Sequence, residues 1–594
     1  MSGAVDWTDD RWLAAGGFAL VFVLTVVIAL TPEAGGYEPS IYGAYPWYFW
    51  ALTVVALLVG NVVIVKSARS GTNDWLYGLL LVLTVVGLLV FLPYFRGYAM
   101  FGRADVLSHV GFIRDIQQTG RVSTGNIYPN FHLLVLSLAY ATGLEPQTML
   151  MGLAGIGSLF SVISFVALVS AVFDRRRALL ALPFATVLVA GQSVPYVFSV
   201  LLVPFVLYLF VMERRTRALR VRAALGATLF GVVIYHPITV LFLLLVLGVY
   251  GVARALHRRG VLQSAEQVPG PVGAMPYSQL LVAVFAVWYL DFPKIVERVG
   301  IVFETLASPG GVGSSAASYG ETVAQYTPSL VDIGRIAALR YGVSAILLTL
   351  GGCYALAVLV GTLRSRSSGT VFRSTFVGGL GLFTVLSALF FVVDLLVGFG
   401  RPLVYAELFG ALLSGAFVYF LAERTGARKT VYGLLYVTVA VLVATSTMGL
   451  YISPLTVGQN QQVTDAELEG SEWYVENRDT RDDLTEFGVE THRFRDAVFG
   501  RETYTDDQVV TSNTDRIPRH FGYAENDTLG ASYDGEKYLV LTAAGRTFYE
   551  SVYPGYEEFW KYERSDFDRL KRDPTVSSVY DNGEYDVYRV NGTR

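Results

Sequence analysis

Long apolar runs separated by short polar segments recur along the first three quarters of the chain. A helix needs about 20 mainly apolar residues to cross a bilayer. Thirteen runs approach that length, so the pattern predicts a polytopic α-helical membrane protein with about 13 spans. The runs lie near 12–31, 46–65, 75–95, 148–172, 178–192, 194–212, 221–235, 238–255, 276–291, 341–363, 374–397, 402–421 and 430–451.

Composition agrees with this class: 53% of the 594 residues are hydrophobic, only 16% are charged, and the mean hydropathy is +0.47. These values are far from those of a soluble domain. One further apolar segment, 131–142, would rise only about 18 Å as a helix, which is too short to cross. We therefore expect an interfacial helix there.

Lys and Arg cluster in alternate loops, which orients the spans because such residues are retained on the cytoplasmic side. The amino terminus is then inside and the carboxyl terminus outside, at the cell membrane. The outer segments would be 32–45, 96–147, 292–340 and everything after 452. The basic clusters lie at 66–69, 175–177, 214–222, 254–259, 364–373 and 424–429.

The tail after residue 452 is acidic, with 29 Asp and Glu against 16 Lys and Arg. Thr464 and Glu467 form a capping box that predicts a helix ending near Asn477. Strands are predicted at 538–542, 576–580 and 586–590, the last two joined by a tight turn at 581–583. We expect a small extracytoplasmic α/β domain. Its acidity suits a high-salt, haloarchaeal environment, and an ordinary acidic exported domain would have a similar composition.

Four regions follow from these patterns. They are three N-terminal spans (1–95), a long outer loop (96–147), a ten-span membrane domain (148–451) and the acidic tail (452–594).

The first long outer loop carries the most reactive residue types. Asp105 and His109 are four residues apart, which puts both side chains on one face of a helix. The carboxylate can accept a proton from an attacking hydroxyl, and the imidazole can carry a proton, donate to a phosphate or bind a metal. The alternative for Asp105 is a simple helix cap. Asp115, beside Arg114, is expected on a solvated face in a supporting role.

Further along the loop, Tyr128 and Pro129 lead into the short interfacial helix. Proline is favoured at the start of a helix. His132 would then face the outer aqueous cleft and contribute to phosphate binding; a plain interface histidine is the alternative reading.

Several cations are predicted at the outer ends of spans, where a lipid phosphate would lie. Arg401 stands in a very short outer turn, with Asp394 and Glu407 nearby as supporting residues; a structural salt-bridge cluster is the alternative. Lys294, Arg298 and His236 are weaker candidates for the same phosphate.

An early span, an outer loop with an acidic motif at Asp105, and a juxtamembrane helix beginning at Tyr128 and Pro129 and ending at Gly143 resemble the membrane glycosyltransferases of the C superfold. That group includes protein mannosyltransferases, lipid A aminoarabinose transferases and oligosaccharyltransferase catalytic subunits. The likeness is architectural over most of the chain and specific at 105–144. It implies a polyprenyl (dolichyl) phosphate sugar donor and a catalytic role for Asp105. The tail lacks a Trp-Trp-Asp motif, which favours transfer of a single sugar.

The resemblance thus implies an inverting glycosyltransferase with a glycan or protein acceptor at the outer face of the membrane and no nucleic-acid partner. Two other classes stay open. A flippase for lipid-linked glycans would carry ionisable groups near the midplane, and a surface-assembly protein would work through its tail. No cofactor is demanded; the carboxylates and histidines permit a divalent metal.

Overall fold

The computed structural model describes residues 9–262, 275–293, 295–297, 300–301, 317, 329–363, 370–393, 398–510 and 516–592. Each of the thirteen predicted runs contains a helix. Within the described residues, nine helices are long and apolar enough to cross a membrane, which makes this a multi-pass membrane protein. They are Asp10–Leu30, Trp47–Ser70, Pro146–Val172, Pro195–Thr216, Pro237–Arg258, Leu330–Gly361, Val371–Val392, Gly400–Arg424 and Arg428–Gly449.

The other four runs contain shorter helices, of 16, 11, 17 and 15 residues. The run predicted at 178–192 differs most, because its helix ends at Ala185 and the chain continues without regular structure to Val194. This irregular stretch lines a cavity described below. The four helices are Trp75–Val90, Arg175–Ala185, Leu219–Tyr235 and Met275–Tyr289.

The basic loops meet at one end of the bundle. Arg175 donates to the carbonyl of Thr72 over 2.9 Å, and Arg176 lies 3.3 Å from the Glu423 carboxylate. Lys66 pairs with Asp10 at 2.5 Å. At the opposite end, the loops 32–45 and 96–147 contact the tail: the Glu38 N–H donates to the Gln462 side chain over 2.6 Å, and Met100 pairs with Val463. The predicted sorting of the loops, and the cytoplasmic identity of the basic end, stay predictions.

Small residues let the helix Gly400–Arg424 run through the centre of the bundle. A Cβ atom on Gly415 would lie 2.5 Å from Ala181, and one on Gly410 would lie 2.9 Å from the Leu347 carbonyl. Such close approach of backbones is how membrane helices pack without a hydrophobic driving force. The packing fixes the height of Arg401, in the first turn of this helix.

The loop 96–147 and the tail pack against each other and share a strand pair. Strand β1 (Met100–Phe101) of the loop pairs antiparallel with strand β2 (Gln462–Val463) at the start of the tail. The next loop element is the helix Asp105–Thr119, called here the motif helix. Its apolar face shares one hydrophobic cluster with the tail helix Asp465–Asn477 and with a second tail helix, Thr491–Phe499, called here the clamp helix. The loop helix Pro129–Thr142 joins the same cluster.

The tail holds a four-stranded sheet in the order β3-β4-β6-β5, with β3 parallel to β4 and the other pairs antiparallel. Alternate residues of the central strand β4 face opposite sides: Tyr538 and Val540 join the cluster at the motif helix, whereas Leu539 and Leu541 join a second apolar cluster. The capping box at Thr464 and the predicted hairpin are both present. The strands are β3 Asp483–Phe487, β4 Glu536–Thr542, β5 Val576–Asp581 and β6 Tyr585–Asn591, and short helices lie at Ala543–Arg546, Phe548–Val552 and Arg564–Leu570.

Candidate active site

A cavity of about 730 Å³ lies between the tail and the end of the bundle opposite the basic loops. Its volume falls within the range of small-molecule sites, about 300–1,000 Å³. The lining comes from four parts of the chain: the motif helix, the loop before Pro129, the ends of membrane helices nearest the tail, and the clamp helix region. The polar and charged lining residues are Asp105, Ser108, His109, Thr124, Tyr128, Tyr196, His236, Asp291, Arg401, Arg493, Arg501 and Glu502.

Asp105 and His109 both line this cavity, as their spacing predicts. The Asp105 side chain is 74% exposed, and its carboxylate lies 3.2 Å from Nη2 of Arg493. The residue before it, Ala104, has a φ of +53°, which residues other than glycine rarely adopt. Such a conformation costs about 1–3 kcal/mol and is held only where the surrounding structure demands it. The chain therefore accepts strain at the residue that presents Asp105.

His109 is buried except for its edge on the cavity. Burial lowers its pKa to about 4, although the nearby Asp105 carboxylate acts in the opposite direction. Its Nδ1 lies 3.0 Å from Nε2 of His132, and His132 Nδ1 lies 3.0 Å from Oδ1 of Asn126. The ring of His109 is therefore neutral near pH 7 and held by a chain of two hydrogen bonds.

His132 does not face the cleft, and the prediction that it binds the phosphate there is wrong. Its side chain is completely buried behind His109. The helical pattern placed His132 on an aqueous face, but the motif helix covers that face, and Phe112 packs against the ring with centroids 5.3 Å apart.

His236 also lines the cavity, and its role in phosphate binding stays a prediction. It caps the helix Pro237–Arg258, and its Nδ1 accepts a hydrogen bond of 3.3 Å from the backbone N–H of Ile238. Its ring stacks on Tyr128 with centroids 5.4 Å apart and an interplanar angle of 7°. Burial lowers its pKa to about 3, and the Arg401 charge acts in the same direction.

Arg401 enters the cavity from the bundle side. Its guanidinium lies over the ring of Tyr196, 5.0 Å from the centroid, and the Tyr196 hydroxyl donates to the Arg401 carbonyl over 2.9 Å. Within the part of the chain that the structure describes, no carboxylate forms an ion pair with this guanidinium. Among the described residues, the charge of Arg401 is thus not neutralised by an acidic partner.

The alternative for Arg401, a structural salt-bridge cluster, is not formed by the Glu407 carboxylate. That carboxylate accepts a hydrogen bond from Ser344 and lines a second cavity of about 320 Å³. Most residues of the second cavity are aliphatic, and it includes the irregular stretch after Ala185. Tyr196 borders both cavities, and the helix that carries Arg401 lines the apolar one with Val404 and Glu407.

Asp115 is also placed differently from its prediction as a solvated residue. It is 1% exposed and accepts hydrogen bonds from the backbone N–H groups of Arg501, Glu502 and Thr503 and from the Thr503 hydroxyl. Burial raises its pKa, partly offset by these hydrogen bonds. Asp115 therefore fastens the tail to the motif helix, since it satisfies backbone donors that would otherwise be buried without partners.

Arg493 and Arg501 were missed by the sequence analysis, and both line the cavity from the clamp helix region. Asp496 holds this region in place. Its buried carboxylate accepts from Ser108 Oγ over 2.6 Å and from Arg495 over 2.8 Å, and it pairs with Arg501. One sequence signal could have pointed to this region: three arginines, Arg493, Arg495 and Arg501, lie close together in an otherwise acidic tail.

Lys294, Arg298 and Asp394 lie outside the described residues. Among the described residues, no three His, Cys, Asp or Glu side chains are grouped so that they could hold a metal ion.

The chain matches no protein-family model and no curated protein sequence. Several solved structures are similar to it. An Archaeoglobus fulgidus oligosaccharyltransferase in complex with zinc and sulfate shares 13% identity and a TM-score of 0.41, covering 74% of this chain and 59% of that one. ArnT from Cupriavidus metallidurans shares 13% identity and a TM-score of 0.43, covering 88% of this chain and 98% of that one.

The mycobacterial arabinofuranosyltransferase AftD shares 12% identity and a TM-score of 0.42, covering 87% of this chain and 41% of that one. The chain spans less than two thirds of the oligosaccharyltransferase it matches. These structural neighbours are membrane glycosyltransferases of the C superfold, the group that the sequence resembles.

Proposed function

We propose that this protein transfers a single sugar from a polyprenyl phosphate carrier to a hydroxyl group of a glycan or protein acceptor at the outer face of the membrane. One observation carries the proposal: a single cavity joins Asp105 and His109 to an arginine without a carboxylate partner among the described residues. The arginine's own helix also lines an apolar cavity.

This arrangement suits an amphipathic donor. A guanidinium binds phosphate oxygens in a planar fork, and Arg401 offers one in the first turn of a membrane helix. Val404 and Glu407, about one and two turns further along that helix, border the apolar cavity. A lipid phosphate bound at Arg401 would thus have an aliphatic surface beside it for the first part of its chain.

The reaction would be an in-line displacement at the anomeric carbon. The acceptor oxygen forms the new bond to that carbon while the bond from the carbon to the phosphate oxygen breaks, and the bonding electrons leave with the phosphate. The acceptor's proton passes to the Asp105 carboxylate, and Arg401 stabilises the charge on the leaving phosphate. Attack opposite the leaving group inverts the anomeric configuration.

The test offers radiolabelled polyprenyl-phosphate hexoses and pentoses to the purified full-length protein in lipid nanodiscs and measures released or transferred sugar. Replacing the base should lower turnover about 10²–10⁴-fold, so Asp105→Asn is compared with wild type. Asp479→Asn is the matched control, because Asp479 also pairs with an arginine, Arg481, but lies away from the cavity.

Full activity of Asp105→Asn would remove this residue as the base. If no donor is turned over and the protein instead moves lipid-linked sugars between the leaflets of vesicles, the flippase alternative replaces the transferase.

A further inference from the structure

Two histidines in the cavity each have one ring nitrogen tied to a partner outside it. His109 bonds through Nδ1 to His132, and His236 bonds through Nδ1 to the backbone of Ile238. A neutral imidazole has one N–H donor and one bare acceptor nitrogen. The bond made outside the cavity therefore decides what each ring offers inside it.

The chain of hydrogen bonds behind His109 starts at Asn126. The backbone N–H of Tyr128 donates to the Asn126 side chain over 3.1 Å, which identifies the accepting atom as the amide oxygen. His132 Nδ1 lies 3.0 Å from the same oxygen. An amide oxygen only accepts, so His132 Nδ1 carries the proton.

The remaining assignments follow in order. Neutral His132 must have a bare Nε2, and His109 Nδ1, 3.0 Å away, must donate to it. The neutral His109 ring is then bare at Nε2. Within the described residues this atom makes no hydrogen bond to the protein, and its ring lines the cavity. Burial keeps both rings neutral near pH 7, because it lowers the pKa of each.

His236 has the opposite polarity. Its Nδ1 accepts from the Ile238 N–H, so the proton of the neutral ring is on Nε2. The cavity thus contains one imidazole that accepts a hydrogen bond and another that donates one.

We propose that Asn126 and His132 are positioning residues that hold His109 with its bare Nε2 toward the cavity, where it accepts a hydrogen bond from a sugar hydroxyl other than the attacking one, whose single proton passes to Asp105. This assignment rests on the proposed glycosyl transfer. A hydroxyl must donate to be held in this way, whereas phosphate and sugar ring oxygens only accept. The fixed polarity therefore directs a non-reacting sugar hydroxyl to His109, beside Asp105, and an oxygen of the donor to His236.

The chain has only six histidines, so selective ¹⁵N-histidine labelling of the full-length protein in nanodiscs gives a resolvable spectrum. Protonated and bare ring nitrogens differ widely in ¹⁵N shift, and His109→Gln, His132→Gln and His236→Gln assign the signals. We expect His109 and His132 to be protonated at Nδ1 and His236 at Nε2. A wild-type His109 protonated at Nε2 overturns the proposal.

The hydrogen-bond chain from Asn126 through His132 to His109 is tested with Asn126→Ala, which removes the amide oxygen that accepts from His132. The His109 tautomer should become mixed, and kcat for sugar release from the best polyprenyl-phosphate donor should fall about tenfold, the cost of one hydrogen bond. The donor KM should stay unchanged, because Arg401 is untouched. His520→Gln, in the tail beside Asp566, is the control and should leave both constants unchanged.

A uniform Asn126→Ala defect in kcat and donor KM, with the His109 tautomer unaltered, contradicts the positioning role. If the expected tautomers are found but no donor is turned over, the glycosyl transfer fails while the hydrogen-bond polarity of the cavity stands.

Discussion

Arginines reach the cavity from two regions, the membrane bundle and the tail, and their partners differ. Arg401, from the bundle, lies over an aromatic ring and pairs with no carboxylate among the described residues. Arg493 and Arg501, from the tail, are already paired with Asp105 and Asp496. Among the described residues, arginine thus offers an uncompensated charge on the bundle side of the cavity and compensated charges on the tail side. We infer that the bundle binds the phosphate and that the tail completes and closes the site.

The comparison between the bundle and tail arginines predicts its largest effect on turnover at Arg401. Replacing it with alanine should lower turnover of a polyprenyl-phosphate sugar about 10²–10³-fold, because a charge aimed at the leaving phosphate is lost. Arg401→Lys should restore part of it, since an ammonium keeps the charge but not the planar fork. Arg428→Ala, which breaks an exposed pair with Glu423 at the other end of the bundle, is the control. Equal turnover by Arg401→Ala and wild type would show that the unpaired charge is not used.

Asp496→Asn should loosen the clamp helix region, which forms the tail's side of the cavity. The variant leaves Arg495 and Arg501 without their common buried carboxylate, and breaking such a pair costs about 3–5 kcal/mol. Thermal unfolding and amide hydrogen exchange of residues 491–503 in the full-length protein measure the effect. Asp479→Asn provides the exposed counterpart and should leave exchange in this segment unchanged. Protection equal to wild type in Asp496→Asn would mean that this carboxylate does not hold the clamp helix.

Gly111→Ala probes the same contact sterically. Alanine favours a helix interior over glycine by about 1 kcal/mol, but its Cβ here would lie 2.6 Å from the Asp496 carbonyl oxygen. Overpacking costs about 1–3 kcal/mol, so we expect faster exchange in 491–503. Gly226→Ala is the matched control, because nothing lies within 4 Å of a Cβ at that helical position. Equal effects of the two variants would contradict a close contact.

The smallest effect is expected for Arg493→Gln. Its partner Asp105 is largely exposed, and exposed ion pairs contribute about 0.2–1 kcal/mol. Turnover should therefore change less than about fivefold, far less than for Arg401→Ala. A loss as large as that of Arg401→Ala would show that the tail binds the phosphate as strongly as the bundle does.

The sequence predicted the cavity residues of the bundle and the loop better than those of the tail, for a physical reason. Span positions depend on local apolar length, and the shared face of Asp105 and His109 depends on a spacing of four; both are local properties. The contact between Ser108 and Asp496 joins residues 388 positions apart. No local pattern encodes such a contact.

The errors have related causes. His132 and Asp115 lie at polar positions of helices that look solvated in isolation. Other elements cover both: the motif helix lies against His132, and the segment after the clamp helix covers Asp115. Burial of polar residues depends on partners that helical periodicity does not reveal.

The most direct measurement is the structure of the full-length protein with a polyprenyl phosphate bound. The account predicts the phosphate within hydrogen-bond distance of the Arg401 guanidinium, with the first isoprenoid units along Val404 in the apolar cavity. A phosphate bound away from Arg401, or an Arg401 that stays on Tyr196 without touching the ligand, would contradict it.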